Sequence, residues 1–174
     1  NPSLPPVTMV SPDSANNVTA RFSPDGTRLF WWQPAGGANQ LMTAGANLSN
    51  PTSVPVTSIA DNPVLWSPDG SLIAVSSSNA GLLQVAVIPA GGGAPKQVSN
   101  VAGVAIPIGW HPDGDRVGYI ATSAGAGGGT FRSFVTSVNH GGSSPLIPDE
   151  QRPNIGEWSP DGSRIGYLVI EGGH

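Results

Sequence analysis

Histidines, carboxylates and serines are the side chains with which this chain could do chemistry, so their spacing comes first. His111, His140 and His174 show no metal-ligand spacing to one another. Of eleven acidic residues, four (Asp25, Asp69, Asp113 and Asp161) occupy near-identical Pro-Asp-Gly segments. The other seven, Asp13, Asp61, Asp115, Asp149, Glu150, Glu157 and Glu171, fall at unrelated points, and no carboxylate pair for acid–base work stands out. No Gly-x-Ser-x-Gly elbow marks a nucleophile, which leaves the serines to turns and loops. The tract Gly125-Ala126-Gly127-Gly128-Gly129-Thr130 has the glycine density of a phosphate cradle but lacks its lysine and leads into a strand-like segment, so a long hairpin loop is expected. The residues thus predict no catalytic group, no metal site and no cofactor.

Binding chemistry has one conspicuous candidate, the pair Trp31-Trp32. In a strand, neighbouring side chains point to opposite faces, so one ring is expected in the core and the other is available to stack on a sugar or a partner. Asn17-Val18-Thr19 and Asn47-Leu48-Ser49 match glycosylation acceptors, a short pattern of little specificity.

Composition narrows the partners. Seven basic residues, a single lysine (Lys96) and a net charge of −4 argue against nucleic acid and against a polybasic membrane patch. No apolar run approaches the roughly 20 residues a membrane-spanning helix needs, so no membrane insertion is expected. Cysteine is absent, which excludes disulfides and thiolate metal sites. The first residues, Asn1-Pro2-Ser3-Leu4-Pro5-Pro6, carry neither the basic start nor the apolar stretch of a signal peptide. With 174 residues, one domain is expected.

The elements that must hold these residues are set by a repeat. Phe22-Ser23-Pro24-Asp25-Gly26, Trp66-Ser67-Pro68-Asp69-Gly70, Trp110-His111-Pro112-Asp113-Gly114 and Trp158-Ser159-Pro160-Asp161-Gly162 recur at intervals of 44, 44 and 48 residues. That period is one four-stranded propeller blade. Within each copy, Ser, Pro, Asp and Gly fill the four positions of a type I turn, with the glycine left-handed, and the turn is expected to close a three-residue hairpin with a bulge. The turn residues Asp25, Gly26, Asp69, Gly70, Asp113, Gly114, Asp161 and Gly162 are therefore read as structural, the aspartates accepting backbone N–H groups of their own turns. Twenty-four glycines and eighteen prolines lie between short apolar runs, as many tight turns require.

After each turn comes a strand (Leu29–Trp31, Leu72–Val75, Val117–Ile120, Ile165–Val169), then a third (Gln40–Met42, Leu83–Ile88, Phe131–Val135). A weaker outer strand is expected at Val54–Val56, Gln97–Ser99 and Pro145–Ile147, where proline suits an edge. The fold class is all-β: about three and a half four-stranded antiparallel blades at 18–58, 62–100, 106–148 and 153–174. Residues 5–10 are expected as an extra outer strand, with Ser11-Pro12-Asp13 as a degenerate turn.

An aromatic-Ser-Pro-Asp-Gly segment followed by a basic residue and an aliphatic strand resembles the WD-like repeat of the TolB-type propellers, over nearly the whole chain. Departures are His111 for the turn serine, Leu72 where other copies have Arg28, Arg116 and Arg164, and Phe22 for tryptophan. The resemblance implies a non-catalytic binding or scaffold module, for a protein or small ligand, in a periplasmic, cell-surface or secreted bacterial protein. Propellers of this kind also gate prolyl-oligopeptidase-like hydrolases, and some metal-dependent lyases and lactonases share the architecture, gathering histidines at the channel. Three and a half blades do not close a ring. A truncated excerpt, a ring completed by two chains and a small four-bladed ring all remain open, and the apolar flanks of an open stack predict self-association through the terminal blades.

Overall fold

A computed structural model describes residues 20–35, 38–56, 63–79, 81–122, 131–147 and 153–169. The expected strand at 5–10 with its turn at 11–13, the glycine tract 125–130 and His174 lie outside the described residues. No helix among the described residues is long and apolar enough to cross a membrane.

The described chain is all strand, in four antiparallel sheets that follow one another along the sequence. Blade one comprises β1 (Arg21–Phe22), β2 (Arg28–Ala35), β3 (Ala38–Gly45) and β4 (Thr52–Val54). Blade two is β5 (Val64–Trp66), β6 (Leu72–Asn79), β7 (Leu82–Pro89) and β8 (Lys96–Gln97); blade three is β9 (Ala105–Trp110), β10 (Arg116–Thr122), β11 (Phe131–Ser137) and β12 (Gly141–Pro145). Blade four shows two strands, β13 (Pro153–Trp158) and β14 (Ile165–Val169). Each blade meanders in sequence order, so every strand pairs with its chain neighbour.

Alternation along the strands builds two apolar layers between blades. Phe30, Trp32, Leu41 and Val54 of blade one meet Val64, Ile73, Val75 and Ile88 of blade two in one buried cluster. Ala74, Val85 and Val87 of blade two meet Ala105, Trp110, Val117, Tyr119 and Ala121 of blade three in the other. Buried hydroxyls cross the same seams: Thr43 donates to the carbonyl of Ala90 (3.0 Å), Ser76 to Ala105 (3.0 Å) and Thr136 to Val98 (2.9 Å). Each bond satisfies a hydroxyl that burial would otherwise leave unpaired.

The outer strands differ from the sequence expectation by beginning and ending earlier, at Thr52–Val54, Lys96–Gln97 and Gly141–Pro145. In blade one the ladder stops before Pro55, which has no N–H to donate, and Val56 turns back to the Val54 carbonyl (2.8 Å).

Candidate functional site

The repeated turn is wider than expected. Ser23 N–H bonds the Arg28 carbonyl (2.9 Å), so four residues, not three, lie between the closing pair. The reason is local: the Ser23 carbonyl is taken by the Gly26 N–H (2.9 Å), and the Arg28 N–H must find another acceptor, which is Ser23 Oγ (3.0 Å). Ser23 Oγ in turn donates to Asp25 Oδ1 (2.6 Å), which also accepts from the Thr27 N–H (3.0 Å). The same set recurs around Ser67 and Asp69 and around Ser159 and Asp161. Gly26, Gly70, Gly114 and Gly162 all hold φ between 70° and 74°, where a β-carbon is strained.

Donors converging on these carboxylates favour the charged form. The Ser23 hydroxyl, then the Thr27 backbone and hydroxyl, bring Asp25 down to about 2; Ser159 and Ser163 do the same for Asp161, and Ser67 and Ser71 lower Asp69. At Asp113 burial pushes upward, but Arg116 and the N–H groups of Asp115 and Arg116 outweigh it and bring it to about 2. The aspartates are thus hydrogen-bonded within their own turns.

The third turn has a different chemistry. His111, buried, accepts the Asp113 N–H at Nδ1 (3.1 Å), and Nε2 lies 3.0 Å from the Gly162 carbonyl of blade four. Arg116 Nη2 lies 2.9 Å from the same Nε2 and 3.1 Å from Nδ1, and Asp113 Oδ2 lies 3.0 Å from Nδ1. The ring meets Trp158 edge-on at 4.6 Å between centroids. Arg116 takes over part of the lost serine's work, its Nε donating to Asp113 Oδ2 (2.6 Å) while its N–H donates to Asp113 Oδ1 (3.1 Å). His140 is exposed, with Nδ1 3.9 Å from Asp115 Oδ2. Among the described residues, no three His, Asp or Glu side chains gather as a metal would require.

The surface that the fold does assemble is a channel. The first strand of every blade, β1, β5, β9 and β13, lines one cavity of about 840 Å³. Its wall carries Phe22, Trp66, Trp110 and Trp158, its rim Pro68, Pro112 and Pro160, and its two charges are Arg21 and Glu157. The indoles also lock the wall: Trp66 Nε1 donates to the Arg21 carbonyl (3.2 Å) and Trp110 Nε1 to the Leu65 carbonyl (3.1 Å), each reaching the blade before it.

Neither Trp31 nor Trp32 belongs to this channel. Trp32, expected with Trp31 as a candidate exposed binding aromatic, is instead sealed between blades one and two at 7% exposure, because it shares the face of Phe30 and Leu41 that blade two covers. Trp31 points to the opposite face and is half-buried. Arg21 and Glu157 were not singled out by sequence reasoning. The signal was available, since both immediately precede the repeat aromatic.

This architecture is that of an all-β partial propeller, and it resembles TolB structures. A TolB-type protein from Agrobacterium tumefaciens is 26% identical over 87% of this chain, with a TM-score of 0.68, and TolB from Acinetobacter baumannii is 20% identical over 90%, with a TM-score of 0.69. The tricorn protease shares the fold at 9% identity over 82% of the chain, with a TM-score of 0.67. The chain spans 53%, 38% and 14% of these three proteins, respectively. No family model and no curated protein matches the sequence.

Proposed function

We propose that the chain is a non-catalytic binding or scaffold module of an exported or cell-envelope protein, and that it binds a protein or small ligand at its channel. The observation that carries this reading is the channel itself: an apolar wall of aromatic rings with a proline rim and two isolated charges, held by strands whose titratable turn residues are already committed. Concave, largely apolar surfaces with a few polar groups are the usual ligand sites. Similarity to TolB structures supports the envelope setting.

A photoreactive residue placed at Ile108, on the channel wall, and another at Gln97, on an outer strand, test this in the cell envelope. The channel probe should trap a discrete partner that the outer probe does not. Equal labelling patterns from both positions would sink the proposal. The likeness to the tricorn protease keeps one second reading, a propeller that gates a hydrolase. It predicts a hydrolase domain encoded in the same reading frame.

A further inference from the structure

Blade two turns two kinds of surface toward blade one. Alternation along its strands puts Ile73, Val75 and Ile88 at one end of that face and Ser77 and Gln84 at the other, with Ala86 between them and Gln97 beside Ala86. Blade one covers the apolar end through Phe30, Leu41 and Val54. Its outer strand then stops before Pro55, and the polar end is left to wall a cavity of about 240 Å³, which Pro55 and Pro95 also line. This cavity shares no residue with the channel.

Its polar groups are unequally occupied. Gln84, 4% exposed, has its whole amide in use: Nε2 donates to the Val101 (3.0 Å) and Gly103 (3.1 Å) carbonyls, and Oε1 accepts from Ser99 Oγ (2.9 Å) and the Val101 N–H (3.1 Å). It is a fixed wall. Of three consecutive serines, Ser76 donates to the Ala105 carbonyl at the blade-three seam, whereas Ser77 and Ser78 line the cavity, and neither hydroxyl has a hydrogen-bond partner among the described residues. No lining residue is charged. Lys96, next to Gln97, points to the opposite face, where its Nζ donates to the Val138 carbonyl (2.6 Å).

We propose that this cavity is a second binding site and that it takes one uncharged sugar ring. A charged ligand would be desolvated there without a counter-charge, and an apolar one would bury the two serine hydroxyls unpaired. Hydroxyls both donate and accept, so adjacent ligand hydroxyls, which do the same, match Ser77 and Ser78. Ala86 and the two prolines present apolar surface to the C–H face of the ring. The volume lies below the roughly 300–1,000 Å³ of sites for drug-sized ligands, which limits the occupant to a single ring.

Amide chemical shifts of the 174-residue chain, followed by NMR as glucose, galactose, mannose or N-acetylglucosamine is added, test the proposal. At least one of these sugars should shift Ser77, Ser78 and Gln97 saturably, and glucuronate at the same concentration should not. The double variant S77A with S78A removes two hydroxyls that make no bond within the protein, so its melting temperature should hold while sugar binding weakens about tenfold. Saturable shifts confined to Ile108 and Gly109 would put the sugar in the channel and overturn this site while leaving the channel reading intact. No saturable binding of any neutral sugar, equal binding of glucuronate, or an affinity unmoved in the double variant also overturns the proposal.

Discussion

The junction between blades two and three and the junction between blades three and four occupy equivalent places in the repeat and are tied by different bonds. At the first, Trp110 donates its indole N–H back to Leu65, and the turn serine, Ser67, works only within its own blade. At the second, the turn residue is His111, whose ring is long enough to reach out of its own turn to the Gly162 carbonyl and to pack on Trp158. The turn residue thus decides whether a turn is self-contained or also acts as a clasp between blades.

The largest expected effect breaks that clasp. In Gly162→Val a β-carbon would stand 2.5 Å from His111 Nε2, at a φ of 71°. Gly70 has the same φ, but its β-carbon would meet Ser23 Cβ at 3.5 Å, an ordinary contact. Both variants should lose more than ~1 kcal/mol in chemical denaturation, and Gly162→Val should lose clearly more. Adding H111S to Gly162→Val should recover the difference and leave the backbone strain. Equal losses for the two glycines would show that the clasp does not constrain blade four.

Trp110→Phe sharpens the other side of the comparison. It removes a donor and leaves the Leu65 carbonyl unpaired at a mostly buried seam, at a cost of about 1–3 kcal/mol. Trp66→Phe removes the same bond to Arg21, where the setting is exposed and water can replace it, so a smaller loss is expected. Next in size is His111→Ser, which restores a self-contained turn but deletes the bond to Gly162; a loss near ~1 kcal/mol, seen as faster amide exchange in β13 and β14 before β9 and β10, is the expected outcome.

The smallest effect is that of pH on the turns. Asp25, Asp113 and Asp161 are lowered to about 2, below the ordinary carboxylate value near 3.9 of an unfolded chain. As pH falls the unfolded chain takes up protons first, so the turns' contribution is complete above about pH 4 and fades toward pH 2. Melting temperature should drop across that window, and Asp25→Asn should flatten part of the drop. Because these groups are mostly exposed, solvent screens each contribution.

Much of this molecule was legible in four short segments. Ser-Pro-Asp-Gly specifies its own geometry, because proline fixes φ, glycine accepts a positive φ, and the serine and aspartate side chains bond within a few residues. The 44-residue spacing then placed four strands per blade with no further information. Local rules also placed one of Trp31 and Trp32 in the core, but not which, since that depends on which face the next blade covers. The turn width escaped because it rests on a side chain replacing a backbone acceptor.

What only the tertiary structure decided is everything that joins one blade to the next. Arg21 and Glu157 are more than 130 residues apart in sequence, yet line one channel because the first strand of every blade turns toward the same cavity. His111 reads as a departure from a turn motif until Gly162, 51 residues on, is brought 3.0 Å from its ring. Local sequence fixes hydrogen bonds that close over a few residues, whereas contacts between blades require the packing of the whole stack to bring their partners together.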